Sequence, residues 1–261
     1  MEISAEKIKS YLNTPVNKII IRESISSTNT VLKNMADEGC EDKTLLIALS
    51  QTNGRGRIGN GFYSPKSGLY MSILIKDTCA LKNTGYITPA AACAMRRAVF
   101  DVTGKSPLIK WVNDLYLKEK KICGILAESS LNPKTQQPDY CVLGVGINLV
   151  MPEGGFPDNL KKAGAVYESS ETLPPDLHSR VCAEFLNHFF QLIYENKERF
   201  ADEYKKYSFL NGKRLYFSFC GEETFGTAED TDSEFRLIVR KDNGEIIKLS
   251  SGEVKIKEWT K

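Results

Sequence analysis

The residue patterns of this 261-residue sequence change near Asn211-Gly212, and that change constrains the fold more than any other feature. Before it, strand-like and helix-like patterns alternate and end in a long apolar stripe typical of a helix over residues 176–207. After it, five short β-rich runs alternate with turn signals such as Asp242-Asn243-Gly244. We therefore predict an α+β fold, with a mixed-sheet domain over residues 1–208 and a small β-barrel over residues 209–261.

The first domain carries alternating patterns of helix and strand. A short helix covers residues 4–13, and a second helix starts at Ser27-Thr28-Asn29, which supplies N-cap chemistry, and stops at Gly39. An Ala-rich helix is predicted to begin at Pro89 and to end near Val102. Strands are predicted over residues 18–22, 44–49, 69–75, 108–111, 114–117, 121–128 and 140–148.

Composition and charge exclude several classes of protein. A formal net charge of +2 argues against a globally basic nucleic-acid coat, so any anion must be bound by a local cluster. The charged segment Met1–Lys7 is not a signal peptide, and no apolar run reaches the roughly 20 residues of a membrane span. Seven scattered cysteines indicate reduced thiols, and we expect a cytoplasmic protein without a membrane partner. With two histidines and no Cys-x-x-Cys, the sequence argues against a zinc site.

The segment Gln51–Gly61 is the most informative candidate for chemistry. It interleaves four glycines with Arg55 and Arg57, so the backbone can approach a ligand while guanidinium groups reach a phosphate or carboxylate. It is not a P-loop, because no Gly-Lys-Ser/Thr follows. From spacing alone, a solvated basic loop or a nucleic-acid patch explains the segment equally well.

Two further segments offer polar groups at strand ends. Asn113-Asp114 follows a buried strand and suits a nucleotide hydroxyl or a magnesium phosphate, although the same pair is common in ordinary turns. Lys121 opens an apolar run, where its ammonium faces either a pocket or solvent. Gly144 and Gly146 lie within a strand, which indicates either a bulge or a ligand close to the backbone.

Taken in order, these segments resemble the motifs of biotin–protein ligases over about residues 24–254. The resemblance is carried by Ser27-Thr28-Asn29, Gln51-Thr52-Asn53-Gly54-Arg55-Gly56-Arg57, Lys110-Trp111-Val112-Asn113-Asp114, Lys121-Ile122-Cys123-Gly124-Ile125-Leu126-Ala127-Glu128, Gly144-Val145-Gly146-Ile147-Asn148 and Ser251-Gly252-Glu253-Val254. It implies a biotin/lipoate ligase-like catalytic domain followed by an SH3-like barrel. It also implies an enzyme that uses ATP and Mg²⁺ to convert biotin to biotinyl-5′-AMP. Such enzymes then transfer biotin to a lysine of a biotin carboxyl carrier protein, such as the acetyl-CoA carboxylase subunit.

The resemblance also implies roles for individual residues. Those expected at biotin are Ser27, Thr28, Asn29, Gln51, Gly54, Arg55, Gly56, Arg57, Lys121, Gly124 and Gly144. Those expected at ATP are Arg55, Arg57, Phe62, Asn113 and Asn148. The implied catalytic residues are Lys121, Arg57 and Asp114, with Asp114 also reaching Mg²⁺ through the nucleotide phosphates. Because the biotin carboxylate must attack an anionic phosphate, fixed cations at this place agree with the chemistry.

The sequence departs from the family pattern at two loop positions and at its start. Asn60 replaces an arginine and Phe62 replaces a tryptophan that stacks near the adenine, so nucleotide affinity is the property affected. About seventeen residues precede the first strand, too few for the helix-turn-helix of the repressor ligases. We therefore expect the short monofunctional class, with no DNA partner, as a monomer or a homodimer.

Two alternatives stay open at this point. A lipoate–protein ligase has a related fold, but its loop usually reads Arg-x-x-Gly-Gly-Gly, whereas this chain has Gln51 and Gly-Arg-Gly-Arg. A non-enzymatic nucleic-acid binder would use the same loop together with the barrel. The near-neutral charge and the few aromatic residues close to the loop argue against that alternative.

Overall fold

The fold is taken from a computed structural model that describes residues 3–81, 84–194, 198–219, 222–250 and 254–256. The helices are α1 (Ala5–Tyr11), α2 (Thr28–Asp37), α3 (Thr78–Leu81), α4 (Thr84–Thr103), α5 (Leu177–Tyr194) and α6 (Glu198–Lys206), with 3₁₀ turns at Arg57–Gly59 and Asp158–Leu160. The strands are β1 (Lys18–Ile25), β2 (Thr44–Gln51), β3 (Leu69–Ile75), β4 (Leu108–Lys110), β5 (Asp114–Leu117), β6 (Lys120–Leu131), β7 (Pro138–Ile147), β8 (Arg214–Phe219), β9 (Glu222–Thr231), β10 (Leu237–Lys241), β11 (Ile246–Leu249) and β12 (Val254–Ile256).

The first seven strands form one mixed sheet in the order β1-β2-β3-β7-β6-β5-β4. Its only parallel pair among these strands is β1 with β2, and all the other neighbours are antiparallel. In the register of β6 and β7, Gly146 lies opposite Gly124, and Gly144 lies opposite Leu126. This pairing gathers three glycines at the centre of one sheet face.

Helices cover both faces of this sheet. The larger core packs α1, α4, α5 and α6 on one face, where Phe185 and Phe189 of α5 and the small residues of α4 are almost completely buried. On the other face, α2 buries Leu32 and Ala36 against Leu46, Leu74 and Val142. The mixed α+β architecture predicted from the sequence is thereby confirmed.

The last five strands form a separate antiparallel sheet in the order β11-β10-β9-β8-β12. Its inward side chains, among them Leu215, Leu237 and Val239, belong to the same hydrophobic core as the first sheet, as does Phe235 in the turn before β10. The sheet has the size of a small SH3-like domain, and a bond closing it into a barrel is not among the described strand pairs. The division at residues 208 and 209 stays a prediction.

Two helices differ from their predicted bounds. The Ala-rich helix begins at Thr84 rather than at Pro89, because Ile87 is buried in the core and Tyr86 packs edge-on against Phe235. The single helix predicted over residues 176–207 is described as α5 and α6, with residues 195–197 outside the described ranges. The predicted Ser251–Val254 motif also lies outside them, except for Val254.

The cysteines and the membrane prediction can be compared with the structure directly. Free thiols are described at Cys40, Cys93, Cys123, Cys141 and Cys182, and all of these except Cys40 are buried. Within the described ranges, every helix is too short or too polar to cross a membrane.

Candidate functional site

One pocket brings most of the predicted site residues together. It lies where α2 begins, is covered by the loop after β2, and has the glycines of β6 and β7 as its floor. Its lining consists of Ser27, Thr28, Asn29, Gln51, Arg55, Gly56, Arg57, Ile58, Asn60, Gly61, Phe62, Lys110, Trp111, Asn113, Asp114, Lys121, Gly124, Ile125, Leu126, Gly144, Val145 and Gly146. Thirteen of the fifteen residues predicted from the sequence are in this lining.

The two exceptions are Gly54 and Asn148. A Cβ at Gly54 would lie 2.2 Å from the carbonyl oxygen of Phe62, so this glycine lets the loop fold back on itself. The Asn148 side chain is buried, and its Nδ2 donates to the carbonyl of Gly164 at 2.9 Å, away from the pocket lining. Direct ligand contact by either residue stays a prediction, whereas their places in the fold indicate structural roles.

The start of α2 is capped by a residue that the sequence assigned to the ligand. Gln51 Oε1 accepts from the Thr28 backbone N–H at 2.8 Å and from the Thr28 hydroxyl at 3.2 Å. Gln51 Nε2 donates to Ser64 Oγ at 2.9 Å. Ser27 occupies the N-cap position, but its side chain makes no capping hydrogen bond, which corrects the capping role expected for it. The Ser27 hydroxyl is therefore not used to cap α2.

Asn29 is held by a buried network behind the pocket. Its Oδ1 accepts from Ser72 Oγ at 2.6 Å, and its Nδ2 donates to the carbonyl of Leu126 at 3.2 Å and to Glu128 Oε2 at 3.0 Å. A Cβ at Gly144 would lie 2.0 Å from Asn29 Oδ1. Both amide hydrogens are thus engaged, which indicates that Asn29 joins the sheet to α2, and its contact with biotin stays a prediction.

Glu128 binds the arginine-rich loop. The sequence placed Glu128 in a family motif but did not indicate this role. Arg55 donates through both terminal nitrogens to the Glu128 carboxylate, at 3.2 and 3.0 Å, and Lys33 Nζ lies 3.4 Å away. Burial alone would raise the pKa of Glu128, but the Asn29 hydrogen bond and the charges of Lys33 and Arg55 outweigh it and lower that pKa. Glu128 is therefore ionised at neutral pH and ties the loop to β6.

The opposite side of the pocket carries the second group of charges. Lys121 Nζ lies 2.8 Å from Asp114 Oδ1, an oxygen that is buried and lacks an aligned hydrogen-bond donor. Arg57 Nη1 donates to Asn113 Oδ1 at 3.2 Å, while Asn113 Nδ2 donates to the carbonyl of Ile125 at 2.9 Å. These contacts orient a lysine, an arginine, an amide and a carboxylate toward one space.

Phe62 packs on the glycine floor. A Cβ at Gly146 would lie 2.6 Å from its ring, and a Cβ at Gly124 would lie 2.9 Å from it. Lys121 Nζ lies 5.9 Å from the ring centroid, within the range of a cation–π contact. Gly146 was not assigned to the site from the sequence, although its spacing of two residues from Gly144 places both glycines on the same strand face.

The turn before β10 and helix α6 support the pocket from behind. The indole Nε1 of Trp111, which lines the pocket, donates to the carbonyl of Phe235 at 2.8 Å. The Tyr204 hydroxyl donates to the carbonyl of Val112 at 3.1 Å. The turn that presents Asn113 and Asp114 is therefore fixed by residues about a hundred positions later in the chain.

Ile58 is an exposed apolar residue at the mouth of the pocket. Its φ of 53° lies in the left-handed region, which costs a residue of this kind about 1–2 kcal/mol. Its side chain is 73 % exposed although it belongs to the pocket lining. An apolar side chain held in this way can cover an apolar ligand.

Comparison with known proteins identifies the family of this chain. The Biotin/lipoate A/B protein ligase family matches residues 21–148. The chain is 30 % identical over 238 residues to the biotin–acetyl-CoA-carboxylase ligase of Mycobacterium tuberculosis, a match that covers 87 % of this chain and 85 % of that protein. It is 31 % identical over 163 residues to the bifunctional ligase/repressor BirA of Bacillus subtilis, covering 61 % of this chain. The match spans 50 % of the length of that relative.

Solved structures give the same fold. The biotin protein ligase from Aquifex aeolicus in complex with biotin and ATP superposes with a TM-score of 0.75 at 21 % identity, covering 93 % of this chain and all of that one. The ligase from Leishmania major in complex with biotinyl-5-AMP gives a TM-score of 0.61 at 25 % identity, covering 91 % of this chain and all of that one. The chain therefore belongs to the biotin/lipoate A/B protein ligase family, and within it to the biotin–protein ligases.

Proposed function

We propose that this chain is an ATP-dependent ligase that adenylates biotin and then transfers it to a lysine of a biotin carboxyl carrier protein. The names of its relatives support this proposal, since the Mycobacterium tuberculosis protein is a biotin–acetyl-CoA-carboxylase ligase. The Aquifex aeolicus structure of the same fold was solved with biotin and ATP.

The observation that carries the proposal is the convergence of Lys121 and Arg57 on one pocket. In the first step, a biotin carboxylate oxygen attacks the α-phosphorus of ATP, a phosphoanhydride P–O bond breaks, and diphosphate leaves. Two anions must approach each other in this step, so preorganised cations at the point of contact lower the barrier. No general base is needed, because the nucleophile is already ionised.

The second step transfers the acyl group. A lysine amine of the carrier attacks the carbonyl carbon of biotinyl-5′-AMP, the bond to the phosphate oxygen breaks, and AMP departs. The same lysine and arginine stabilise the negative charge that returns to the phosphate. An amide joins biotin to the carrier, and the amine loses its proton.

Lys121 and Asp114 are held together before any ligand binds. At 2.8 Å and with both side chains partly buried, the pair keeps the ammonium oriented toward the pocket. A carboxylate or phosphate that enters the pocket can accept the remaining hydrogen bonds of that ammonium.

Asp114 also fits a magnesium ion held mainly by the nucleotide. Mg²⁺ in nucleotide sites commonly takes one or two carboxylates and fills its remaining positions with phosphate oxygens and water. Asp114 offers one carboxylate whose buried Oδ1 lacks an aligned donor. The ion would supply further positive charge at the phosphates.

Cytoplasmic location, and the choice between monomer and homodimer, stay predictions.

Adenylation without any carrier tests the proposal. Purified chain is incubated with ATP, Mg²⁺ and either biotin or lipoate, and diphosphate and the acyl adenylate are quantified. We expect biotinyl-5′-AMP with biotin and little product with lipoate. Replacement of Lys121 by Met should lower the rate by about 10²–10³-fold. The matched control is Lys134→Met, because Lys134 is exposed in the turn between β6 and β7.

Two results would argue against the proposal. Faster adenylation of lipoate than of biotin would assign the chain to the lipoate ligases of the same family. Equal adenylation rates for the Lys121 and Lys134 variants would show that Lys121 takes no part in adenylation. This conclusion requires that both variants retain the melting temperature of the unmodified protein.

A further inference from the structure

A histidine and two carboxylates meet on the helical layer that lies across the first sheet from the pocket. Asp101 is near the end of α4, while Glu184 and His188 are one turn apart on α5. His188 Nε2 lies 2.7 Å from Asp101 Oδ2. One ligand atom from each of the three residues lies within 4.8 Å of the other two.

A single hydrogen-bonded pair does not account for all three side chains. One imidazole nitrogen faces two carboxylates, and it can donate only one hydrogen bond from Nε2. Asp101 takes that bond, whereas the contact described for Glu184 is with Asn187 Nδ2 at 3.4 Å, near the upper limit for a hydrogen bond. Both carboxylates therefore lie close to one imidazole, which donates to only one of them.

The geometry suits a small divalent cation. Residues four apart on a helix lie on one face, so Glu184 and His188 both point toward Asp101 on the neighbouring helix. In a tetrahedral zinc site with bonds of about 2.0–2.1 Å, neighbouring ligand atoms are roughly 3.3 Å apart. His188 Nε2 and Asp101 Oδ2 are 2.7 Å apart, and all three ligand atoms lie within 4.8 Å of one another, so side-chain rotation can bring them to that spacing.

We propose that Asp101, Glu184 and His188 form a zinc-type metal site that joins α4 to α5. An imidazole nitrogen with two carboxylates selects zinc or a similar transition metal over magnesium and calcium, which prefer all-oxygen sites. The partial exposure of Asp101 and His188 leaves a fourth position for water. The sequence argued against zinc because the two histidines and the cysteines show no metal-binding spacing. The packing of α4 on α5 places Asp101 beside Glu184 and His188, which no spacing in the sequence indicates.

The site is separate from the pocket. The pocket glycines face α2, since a Cβ at Gly144 would meet Asn29. The core that includes α4 and α5 covers the other face of the same sheet. The expected effect of the metal is therefore on the stability of the helical layer, and adenylation should not require it.

Calorimetric titration of the full chain with ZnCl₂ in a non-chelating buffer tests the proposal. We expect one saturable site per chain and a melting temperature that rises with zinc concentration, because the metal binds the folded state. Loss of outer-shell partners alone typically weakens metal binding by about 10–100-fold, so His188→Gln should weaken it by at least about 100-fold. Asp101→Asn and Glu184→Gln should each weaken it as well. Glu38→Gln, which removes an exposed carboxylate at the end of α2, is the matched control and should bind normally.

Cobalt substitution distinguishes this site from binding to thiols. Co²⁺ should give the visible bands of a tetrahedral nitrogen and oxygen site, and Cys40→Ser should leave them unchanged. Saturable binding that survives His188→Gln, or sulfur-to-cobalt charge-transfer absorption, would overturn the proposal. So would the absence of saturable zinc binding, or a MgCl₂ titration that saturates the same carboxylates at equal concentration.

Discussion

Replacement of Gly144 by Ala tests how tightly the glycine floor is joined to α2. The new methyl carbon would lie 2.0 Å from Asn29 Oδ1, so one of the two must move by roughly 1.4 Å to reach ordinary contact at 3.4 Å. Such a movement breaks the 2.6 Å bond from Ser72 Oγ, which is fully buried. Overpacking costs about 1–3 kcal/mol and an unsatisfied buried hydroxyl costs about 1–3 kcal/mol more, so we expect the free energy of unfolding to fall by roughly 2–6 kcal/mol.

Urea denaturation followed by circular dichroism measures this loss. Gly85→Ala is the matched control, because a Cβ at Gly85 would meet nothing within 4 Å at the start of α4, and it should be neutral or slightly stabilising. The double variant Asn29→Ala/Gly144→Ala removes the clashing amide, so its destabilisation should be clearly less than the sum of the two single effects. Additive effects, or a Gly144 variant as stable as the Gly85 control, would refute the reasoning.

The remaining predictions concern the pocket charges and one buried histidine. Single-turnover kinetics of Lys121→Met should show slow formation of biotinyl-5′-AMP, by about 10²–10³-fold; normal formation with defective transfer alone would contradict its role. Glu128→Gln weakens the pairing with Arg55, so trypsin should cleave the loop about fivefold faster if the contact contributes about 1 kcal/mol, whereas the exposed control Glu119→Gln should match the unmodified protein. Burial lowers the pKa of His178 from 6.5 to about 4, so the folded state resists protonation and loses stability as pH falls from 6.5 to 4. The loss at pH 4 should be about 3 kcal/mol larger than in His178→Leu; parallel stability curves would contradict it.

Local patterns predicted most of the elements because burial of one face imposes a period on the residues, while burial of both faces of a strand gives a short, continuous apolar run. Residues 69–75 are a strand as predicted, and all seven are buried. Periodicity could not show the early start of α4, because Tyr86 and Ile87 pack against partners that are distant in sequence.

The site was predictable as a set of motifs and not as a set of contacts. Glycine spacing on β7 indicated a close approach, but that Gly144 faces Asn29 while Gly146 faces Phe62 depends on how α2 and the loop pack. Glu128 is a hydrogen-bond acceptor for residues 73 and 99 positions earlier in the chain. The bond from Trp111 to Phe235, in the turn before β10, spans 124 positions. Contacts of this range are set by tertiary packing, which no local pattern encodes.

The central claim is that the pocket activates biotin and passes it to a carrier lysine, and mass spectrometry of a carrier tests it most directly. A purified biotin carboxyl carrier domain is incubated with the chain, biotin, ATP and Mg²⁺, and its intact mass and modified residue are determined. The account predicts one biotinyl group on one lysine, dependent on ATP and greatly reduced with Lys121→Met. An unmodified carrier under conditions where biotinyl-5′-AMP forms, or a carrier modified by lipoate in preference to biotin, would contradict it.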